Sequence, residues 1–497
     1  MGLPLAFAPA LLASLFGALI INEDNTRFYT KSPDSEFTRD GLMRFVDDNL
    51  AGGKVSRLVF CVNGSRPNYP AKSVEPVWTG CTGNPDGTRS WPQKLKAFFD
   101  ADIDPYAVLI ARTREKGAKA YLSVRMNDLH GCLTLGSSRS DFWRTHPEYY
   151  RGPRRNPAKD RGAWTNYALD YVHPEVRAHY LGFIAETVSR YRPDGLELDF
   201  LRFPQNLTPG AGCELRGVLT DFLRNVRRRV GALPLTVRVP AARETRKSLG
   251  YDVAAWTEGR IVDEVVPCNM WEACDFSLDP RSCGGKSVPG SDFSLNGEDG
   301  KWNGMDYAAY CGWADAMYAR GAKDLYLFNL WYLPRETCRQ VVGRGLDPNT
   351  VAVSERRYVV SWVDLPPDGE GKTKPLPAND STNTTFHVTC GRGLLGGKTV
   401  EVVIGLTQDR EEVAPDAVLL NGQASESAPK RIPDASGYGV LDRTKSVWCY
   451  RVPTCALKSG ENVVRVTGVG DLSRVSQINW VEVRVSPAKI TEKRNER

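Results

Sequence analysis

The chain has 497 residues, of which 41% are hydrophobic and 25% charged, and its formal net charge at pH 7 is +6. This length exceeds one ordinary domain, and the composition is that of a globular protein rather than a disordered or fibrous one. The charge is spread along the chain, and the one run of three arginines, 227–229, falls on a predicted helix. We therefore expect two domains, no nucleic-acid partner and no stable membrane insertion.

The N-terminus bears on the cellular compartment. Residues 3–21 are almost wholly apolar, but no Lys or Arg precedes them and Pro4 and Pro9 interrupt the run. We interpret residues 1–17 as a hydrophobic arm or a signal remnant, which favours a periplasmic or secreted protein. A cytoplasmic location is the alternative. The oligomeric state cannot be predicted.

The cysteine and histidine pattern argues against a metal site. The 12 cysteines include no C-x-x-C pair, and none of the 5 histidines forms a ligand-spaced pair. Cys274 with Cys283, and Cys449 with Cys455, are close enough in sequence for local disulfides. We expect no metal and no cofactor.

Strand and helix patterns alternate strictly over residues 18–345. Apolar runs that predict strands are separated by segments with apolar residues at helical spacing. Seven strands can be located, and an eighth is assigned to residues 272–303, which show no clear strand pattern. Eight such units predict an α/β fold with a parallel sheet closed into a (β/α)₈ TIM barrel, and the doubly wound alternative lacks its Gly-rich turn. The seven strands are predicted near residues 17–21, 55–62, 120–128, 194–204, 235–239, 262–270 and 325–331.

Two segments, 64–103 and 129–172, are predicted as long loops over the barrel mouth. They carry four tryptophans, and an aromatic face can stack on the apolar face of a sugar ring. We expect at least one of the four to line a sugar subsite, the alternative being that all four are buried plugs. The four are Trp78, Trp91, Trp143 and Trp164.

The character of the sequence changes near residue 350. Helical patterns disappear, and seven short β-rich runs recur between turn signals. This spacing predicts an all-β sandwich domain over residues 350–487. The charged residues 488–497 are predicted to be a disordered tail.

The stretch 194–204 is the most informative part of the chain. Leu196, Leu198 and Phe200 alternate with Glu197 and Asp199, so the strand directs two carboxylates into the barrel. Asp199 is predicted at the rim and Glu197 one layer deeper. Arg202 follows within reach of both. The alternative is a structural Asp–Arg pair that fixes the loop.

Polar residues recur where the other predicted strands end. A ring of amides, acids and arginines suits a carbohydrate pocket, because each sugar hydroxyl needs a donor and an acceptor. The alternative is that Asn is common at these positions because it is favoured in the turns that follow strands. We predict as substrate-binding residues Asp24, Asn25, Asn63, Arg125, Asn127, Asp128, Arg202, Arg238, Asn269, Trp271 and Asn329.

Several motifs together resemble a branch of glycoside-hydrolase-like (β/α)₈ barrels related to the family-ten-like glycosyl hydrolases of polysaccharide-degrading bacteria. The resemblance covers roughly residues 18–335, and YRVP, GENVVRV and INWVEVRV resemble the appended sandwich. It implies a glycosidase fold and a carbohydrate substrate. The motifs are IINEDNTRF (20–28), DPYAVLIARTREKGAKAYLSVRMND (104–128), HPEYYRG (146–152), ALDYVHPEVRAHY (168–180), DGLELDFLRF (194–203) and KDLYLFN (323–329).

Glycoside hydrolysis normally needs two carboxyl groups, one to protonate the leaving oxygen and one to attack or to activate water. Asp199 is the predicted nucleophile or base, kept ionised by Arg202 or Arg238. For the acid we weigh Glu272 and Asp275, just after the sixth strand, against the deeper Glu197.

Two other functions remain open at this point. A non-catalytic glycan-binding barrel would keep the polar ring and the aromatics without a competent acid. A lyase or phosphodiesterase is a weaker hypothesis, because the sequence has no paired histidines or metal cluster.

Overall fold

A computed structural model gives the fold of the chain. It describes residues 17–24, 26–85, 87–133, 139–153, 164–269, 275–291, 305–360, 376, 383–391, 398–407, 414–435, 438, 444–468 and 477–487, without the side chains of residues 26, 27, 31, 332 and 383. The predicted arm up to residue 16 and the predicted tail 488–497 lie outside this set.

The first part is a closed barrel of eight parallel strands that follow one another around the ring in chain order. This confirms the predicted (β/α)₈ barrel. The strands are β1 (Leu19–Glu23), β2 (Val55–Cys61), β3 (Lys119–Arg125), β4 (Gly195–Asp199), β5 (Leu235–Pro240), β6 (Glu264–Cys268), β7 (Gly290–Ser291) and β8 (Leu325–Phe328).

The eighth strand lies where it was expected, within residues 272–303, but it could not be seen in the sequence. It is β7, only two residues long, and so has no periodicity to detect. Position 290 of β7 needs a glycine, since a Cβ there would lie 2.7 Å from the Cβ of Cys268 on β6. The close approach of β6 and β7 therefore requires glycine.

Helices surround the barrel, and the stronger sequence signals mark their ends. Thr38 Oγ1 accepts from the Gly41 N–H at 3.1 Å, and Asp104 caps a helix that begins at Pro105. Among the described residues the helices are α1 (Thr26–Lys31), α2 (Arg39–Leu50), α3 (Trp91–Asp100), α4 (Pro105–Glu115), α5 (Asp141–Thr145), α6 (Pro174–Tyr191), α7 (Gly212–Val230), α8 (Arg243–Ser248), α9 (Val253–Glu258), α10 (Tyr307–Ala319), α11 (Arg335–Arg344) and α12 (Pro348–Val353).

The prediction of a long loop over residues 64–103 was wrong for the second half of that segment. The ten-residue helix α3 occupies its second half. Ser90 and Gln93 form a capping box at its start, with Pro92 in the first turn, and this signal is present in the sequence. The segment 129–172 likewise contains α5 and two short 3₁₀ turns.

The second part is antiparallel and forms two sheets, as predicted for a sandwich. One sheet has the order β10-β16-β12-β13 and the other β14-β15-β11-β17-β9. All seven predicted strands are present, together with two short additional ones, β13 and β14. The strands are β9 (Arg356–Val359), β10 (Asn383–Cys390), β11 (Thr399–Leu406), β12 (Ala417–Leu420), β13 (Gln423–Ala424), β14 (Lys430–Ile432), β15 (Ser446–Val452), β16 (Gly460–Thr467) and β17 (Ile478–Ser486).

The barrel and the sheets meet along α10. Tyr307 and residues 309–318 of this helix are buried, and a Cβ on Gly312 would clash with the Arg357 carbonyl oxygen on β9. Asp315 of α10 accepts from Arg356 Nη1 at 2.8 Å and from the Tyr358 hydroxyl. A helix that is apolar on most sides must be covered on all of them, so the β-rich part completes the outer layer of the barrel.

The local disulfide that the sequence allows between Cys449 and Cys455 is not formed. Both residues carry free thiols, as does Cys283, while Cys274 lies outside the described residues. Cys449 is half-buried on β15 and Cys455 is exposed beyond its end. In the part of the chain that the structure describes, no helix is long and apolar enough to cross a membrane.

Candidate functional site

The centre of the site is the carboxyl group of Glu197, which lies inside the barrel on β4. Its Oε1 accepts from Asn22 Nδ2 at 2.9 Å and from Ser123 Oγ at 2.7 Å. Its Oε2 accepts from the Tyr326 hydroxyl at 2.9 Å. These donors come from β1, β3 and β8, and all four side chains are buried. Closure of the ring therefore surrounds one carboxyl group with three neutral donors.

The pKa of Glu197 is displaced into the neutral range. Burial, and then the charge of Asp199, raises it to about 7, against the opposing charge of Arg238 and the hydrogen bonds from Ser123 and Tyr326. An ordinary glutamate is fully ionised at that pH. Glu197 therefore exchanges its proton near neutrality, beside a second carboxylate.

Asp199, the last residue of β4, is held by three donors. Its Oδ2 accepts from Arg238 Nη1 at 2.9 Å, and its Oδ1 accepts from the backbone N–H groups of Leu201 and Arg202, both at 3.0 Å. The Arg238 guanidinium, on β5, lies 3.8 Å from the Phe328 ring centroid. These contacts fix the orientation of the Asp199 carboxylate at the carboxyl end of the barrel, where active sites of this fold are built.

A second charged cluster surrounds Arg125, at the end of β3. Arg125 Nη2 lies 2.6 Å from Asp24 Oδ1, and its Nη1 donates to Asp128 Oδ2 at 2.9 Å. Asn63 brackets the Arg125 backbone with bonds of 2.9 and 3.0 Å, and Asn329 Oδ1 accepts from the Asp24 N–H at 3.1 Å. Residues at the ends of β1, β2, β3 and β8 are thereby locked together.

Both aspartates of this cluster are held in the ionised form. Burial pushes the pKa of Asp24 upward, but the charges of Arg125 and then Arg202 oppose it, and the pKa lies below its ordinary value. Burial also opposes ionisation of Asp128, yet His130 and Arg125 hold its pKa well below the usual range. Asp24 and Asp128 can therefore accept hydrogen bonds but cannot serve as acids near neutral pH.

The solvent edge of the site is formed by His130 and Arg202. The His130 side chain is 50% exposed; its Nδ1 lies 2.9 Å from Asp128 Oδ2 and its Nε2 lies 3.2 Å from Arg202 Nη2. Phe203, whose φ is +65°, packs its ring edge-to-face on His130 at 5.0 Å and on Trp164 at 5.6 Å. The cationic Arg202 and the protonatable His130 therefore lie at the mouth beside the aromatic rings of Phe203 and Trp164.

The structure brings most of the predicted site residues together. Their catalytic and binding roles stay predictions. Of the two arginines predicted as partners of Asp199, Arg238 supplies the ion pair, whereas Arg202 contacts Asp199 through its backbone N–H and not through its guanidinium. The residues that meet at this end of the barrel are Asp24, Asn63, Arg125, Asp128, Glu197, Asp199, Arg202, Arg238 and Asn329.

Other predicted residues are placed differently. Asn127 is buried, and its amide donates to the backbone carbonyls of Leu169 and Gln205, so it fixes two loops rather than facing a pocket. Asp275 is buried and accepts from the N–H and the hydroxyl of Ser277, which is a local turn contact. Asn269 is buried just beyond β6. The remaining predicted residues, Asn25, Trp271 and Glu272, lie outside the described residues.

The four loop tryptophans divide into different environments. Trp143 is 1% exposed, stacks on Tyr150 at 4.8 Å and donates its indole N–H to the Tyr167 carbonyl at 2.7 Å, so it is a plug. Trp78 packs on Phe99 of α3, and Trp91 begins that helix. Trp164 is half-buried beside Phe203 at the edge of the site, which makes it the one candidate among them for a sugar platform.

Two functional candidates escaped the sequence analysis. Tyr326 alternates with apolar residues on β8, so it reads as an ordinary core residue. His130 follows Asp128 by two residues just after a strand end, and it is one of only 5 histidines. That spacing was a usable signal for a carboxylate–imidazole pair at the mouth.

No metal centre is found in the part of the chain that the structure describes, since no three His, Cys, Asp or Glu residues there are grouped to hold an ion. The clusters around Glu197 and Arg125 are built from hydrogen bonds and ion pairs instead. What they can do chemically is to hold and transfer protons and to accept or donate hydrogen bonds to a polar ligand.

The sequence matches no protein-family model, and no curated protein matches it. Solved structures that resemble the fold include a maltogenic α-amylase from Thermotoga neapolitana, at 10% identity and a TM-score of 0.37, covering 93% of this chain and 98% of the amylase. An α-amylase from Geobacillus thermoleovorans aligns at 9% identity and a TM-score of 0.37, over 94% and 98% of the two chains.

A chitinase from Paenibacillus sp. aligns at 12% identity and a TM-score of 0.39, over 95% of this chain and 56% of the chitinase. The chain therefore spans little more than half the length of that enzyme. Scores of this size assign neither a reaction nor a substrate. The barrel itself is established by the closed ring of eight parallel strands.

Proposed function

We propose that the protein is a glycoside hydrolase that acts on a poly- or oligosaccharide at the carboxyl end of its barrel. The observation that carries this proposal is the pair of carboxyl groups on β4. Glu197 has a pKa of about 7, and Asp199, two residues further along, is ion-paired with Arg238. Neighbouring titratable groups whose environments push their pKa values apart are typical of sites that do acid/base chemistry.

The two groups take different roles in this proposal. Asp199 ends its strand, and it acts as nucleophile or base, oriented by Arg238. Glu197 lies deeper, covered by Asn22, Ser123 and Tyr326, so it cannot reach a leaving group at the mouth. Its role is to hold a proton beneath Asp199 and thereby to set the local charge.

The general acid that protonates the leaving oxygen must come from elsewhere. Asp24 and Asp128 are unsuitable because their pKa values are lowered. Asp275 is turned to its own loop through Ser277. We therefore propose Glu272 as the acid, on its position just after β6 and on the unsuitability of these three carboxylates.

The test is product release from a panel of intact and desulfated plant, algal and host glycans, with chromatography of the products. Release of shorter saccharides from at least one member supports the proposal. The family-ten-like ancestry and the periplasmic or secreted location, which rest on sequence motifs and on the apolar N-terminus, are part of the same proposal. Absence of products from every glycan, with a folded protein, would contradict it.

The alternative of a non-catalytic glycan-binding barrel is favoured by one observation. Glu197, Asp199, Asp24 and Asp128 are all buried and bonded to protein groups. Retained binding of a glycan without any cleavage, measured by calorimetry on the same panel, would select this alternative.

A further inference from the structure

Arg202 differs from Arg125 and Arg238, because it contacts no carboxylate among the described residues. Its Nη2 lies 3.2 Å from His130 Nε2, and its guanidinium carbon lies 5.7 Å from the Phe203 ring centroid. Its Nε is buried and has no hydrogen-bond partner. Arg202 as a whole is half-buried, and a guanidinium without a contacting counter-charge can take one from an anionic ligand.

The neighbouring carboxylates cannot supply that charge, because each already has a cation. Asp199 is paired with Arg238, and Asp24 lies 2.6 Å from Arg125. Asp128 lies 2.9 Å from Arg125 and also 2.9 Å from His130 Nδ1. Three aspartates are thus accompanied by four arginines, Arg125, Arg139, Arg202 and Arg238, and Arg202 is the one of the four that is not buried and lies at the solvent edge.

We propose that Arg202 and His130 form an anion subsite, which binds the acidic group of the saccharide. This inference rests on the proposed function and narrows its substrate class to sugars that carry a carboxylate or a sulfate ester. Arg202 presents planar N–H donors suited to either oxyanion. Trp164 and Phe203, beside this pair, provide the aromatic surface for the sugar ring.

Binding at this subsite is coupled to a proton. Without ligand, Arg202 Nη2 donates to His130 Nε2, so the imidazole carries its proton on Nδ1 and donates it to Asp128. A bound anion replaces Nε2 as the acceptor for Arg202. His130 then takes a proton from solvent on Nε2 and donates it to the same anion, while its Nδ1–H stays on Asp128.

The surroundings of His130 are consistent with this uptake. Asp128 and Asp24 face it with negative charge, Arg202 faces it with positive charge, and Phe203 covers one ring edge. Arg139, a further cation nearby, donates to the backbone oxygens of Asp128 and His130 and to Ser65 Oγ, and it lies over the Trp143 ring. The anion neutralises the charge of Arg202, the cation that contacts Nε2. Affinity for the anion therefore rises as the pH falls, by up to about tenfold per pH unit for one coupled proton.

Two measurements test the subsite. In the first, sodium sulfate is titrated into the full-length protein with ¹³C-labelled histidine, and the ring resonance of His130, assigned by its absence from H130Q, is followed against pH. Sulfate should move the titration of this resonance to higher pH in the wild type. Sulfate should leave the His130 titration unchanged in R202Q. The control is R224Q, which replaces an exposed arginine of α7 paired with Asp221 and should respond to sulfate as the wild type does.

In the second, calorimetry compares an oligogalacturonide with its methyl ester, and a sulfated carrageenan oligosaccharide with its desulfated form. At least one acidic member should bind tenfold or more tightly than its neutral partner, R202Q should abolish this difference, and H130Q should abolish the proton uptake. A difference within the oligogalacturonide pair would identify a carboxylate as the bound group, and a difference within the carrageenan pair would identify a sulfate ester.

Two outcomes would overturn the subsite. One is a sulfate-insensitive His130 together with equal binding of acidic and neutral partners. The other is an R202Q variant that discriminates as the wild type does. If neutral glycans are hydrolysed and acidic glycans bind no more tightly than their neutral partners, the subsite proposal fails and the hydrolase proposal stands. If no glycan is cleaved but sulfate and the acidic ligands bind through Arg202, the hydrolase proposal fails and the subsite stands.

Discussion

Two buried glutamates face the interior of the same barrel, and their partners differ. Glu264, the first residue of β6, is paired with Arg57 of β2 and lies 2.8 Å from Lys286. Burial pushes the pKa of Glu264 upward, but these two cations outweigh it and the pKa is lowered. Glu197, on β4, has three neutral donors instead, and its pKa is raised to about 7. Burial alone therefore does not make a reactive carboxyl group; the choice between cationic and neutral partners does.

The two residues also affect stability in opposite ways. The folded pKa of Glu197 lies above its ordinary value of 4.5, so the folded protein binds the proton more tightly, and stability falls as the pH rises from about 4.5 to about 7. The folded pKa of Glu264 lies below its ordinary value, so its contribution is present above that value and is lost as the pH falls. One barrel thus contains two carboxyl groups with opposite pH slopes.

The largest effect is expected for Asp199→Asn. The change is nearly isosteric and keeps an acceptor for the Leu201 and Arg202 N–H groups, but it removes the charge proposed to act on the sugar. We expect a loss of several orders of magnitude in kcat/KM, on the order of 5 kcal/mol or more of barrier. The measurement is product release from a glycan that the wild type cleaves. Asp221→Asn, on the exposed face of α7, is the matched control and should cleave normally. Normal turnover by Asp199→Asn would remove this residue from the mechanism.

Glu264→Gln should act on stability and leave activity unchanged. The change leaves Arg57, whose side chain is 12% exposed, without its carboxylate partner beside the positive Lys286. Breaking a buried ion pair in this way costs about 3–5 kcal/mol of unfolding free energy. Urea unfolding at pH 7 measures it, and Glu115→Gln, on the solvent side of α4, should cost no more than about 0.5 kcal/mol. A fall in kcat/KM at full stability would mean that Glu264 belongs to the site after all.

Glu197→Gln tests the fall in unfolding free energy with rising pH that is assigned to Glu197. The wild type should lose about 3 kcal/mol of unfolding free energy between pH 4.5 and pH 7 through this residue, at about 1.4 kcal/mol per unit of pKa shift. The glutamine variant cannot ionise, so its stability should decline less over that range and exceed the wild type's most clearly at pH 8. Urea unfolding at a series of pH values gives both curves. Parallel curves for the two proteins would show that Glu197 does not hold a proton near neutrality.

Much of the fold could be predicted because it follows from local periodicity. The alternation in residues 194–204 correctly placed Glu197 and Asp199 on the inner face of β4, with Leu196 and Leu198 in the outer core. Periodicity failed at β7, which has two residues, and at α3, where the Gly- and Pro-rich start of the segment masked a capped helix. Short elements are fixed by the neighbours they pair with rather than by their own pattern.

The partners inside the site could not be predicted, because ring closure decides them. Glu197 meets Asn22, 175 residues away, and Tyr326, 129 residues away. Arg202 is close to Asp199 in sequence, yet the ion pair is made by Arg238 on the next strand. Sequence shows which face a side chain takes, whereas the charge state of a buried group depends on which strands surround it.

The smallest effect is expected for Tyr326→Phe, which removes one hydroxyl from the Glu197 cluster. That hydroxyl accepts from Asn22 Nδ2 at 2.6 Å and donates to Glu197 Oε2 at 2.9 Å, and the second bond favours the ionised carboxylate. Its loss should raise the pKa of Glu197 further and cost about 1 kcal/mol at a pH where Glu197 is ionised. The measurement is the midpoint of the pH-dependent loss of stability, which should move upward. Tyr171→Phe is the matched control, because it also removes a buried hydroxyl, one that donates to the Met126 carbonyl at 2.6 Å. That variant should lose stability equally at all pH values without moving the midpoint. An equal shift in both variants would trace the effect to general loosening, and a downward shift for Tyr326→Phe would reverse the assigned role of its hydroxyl.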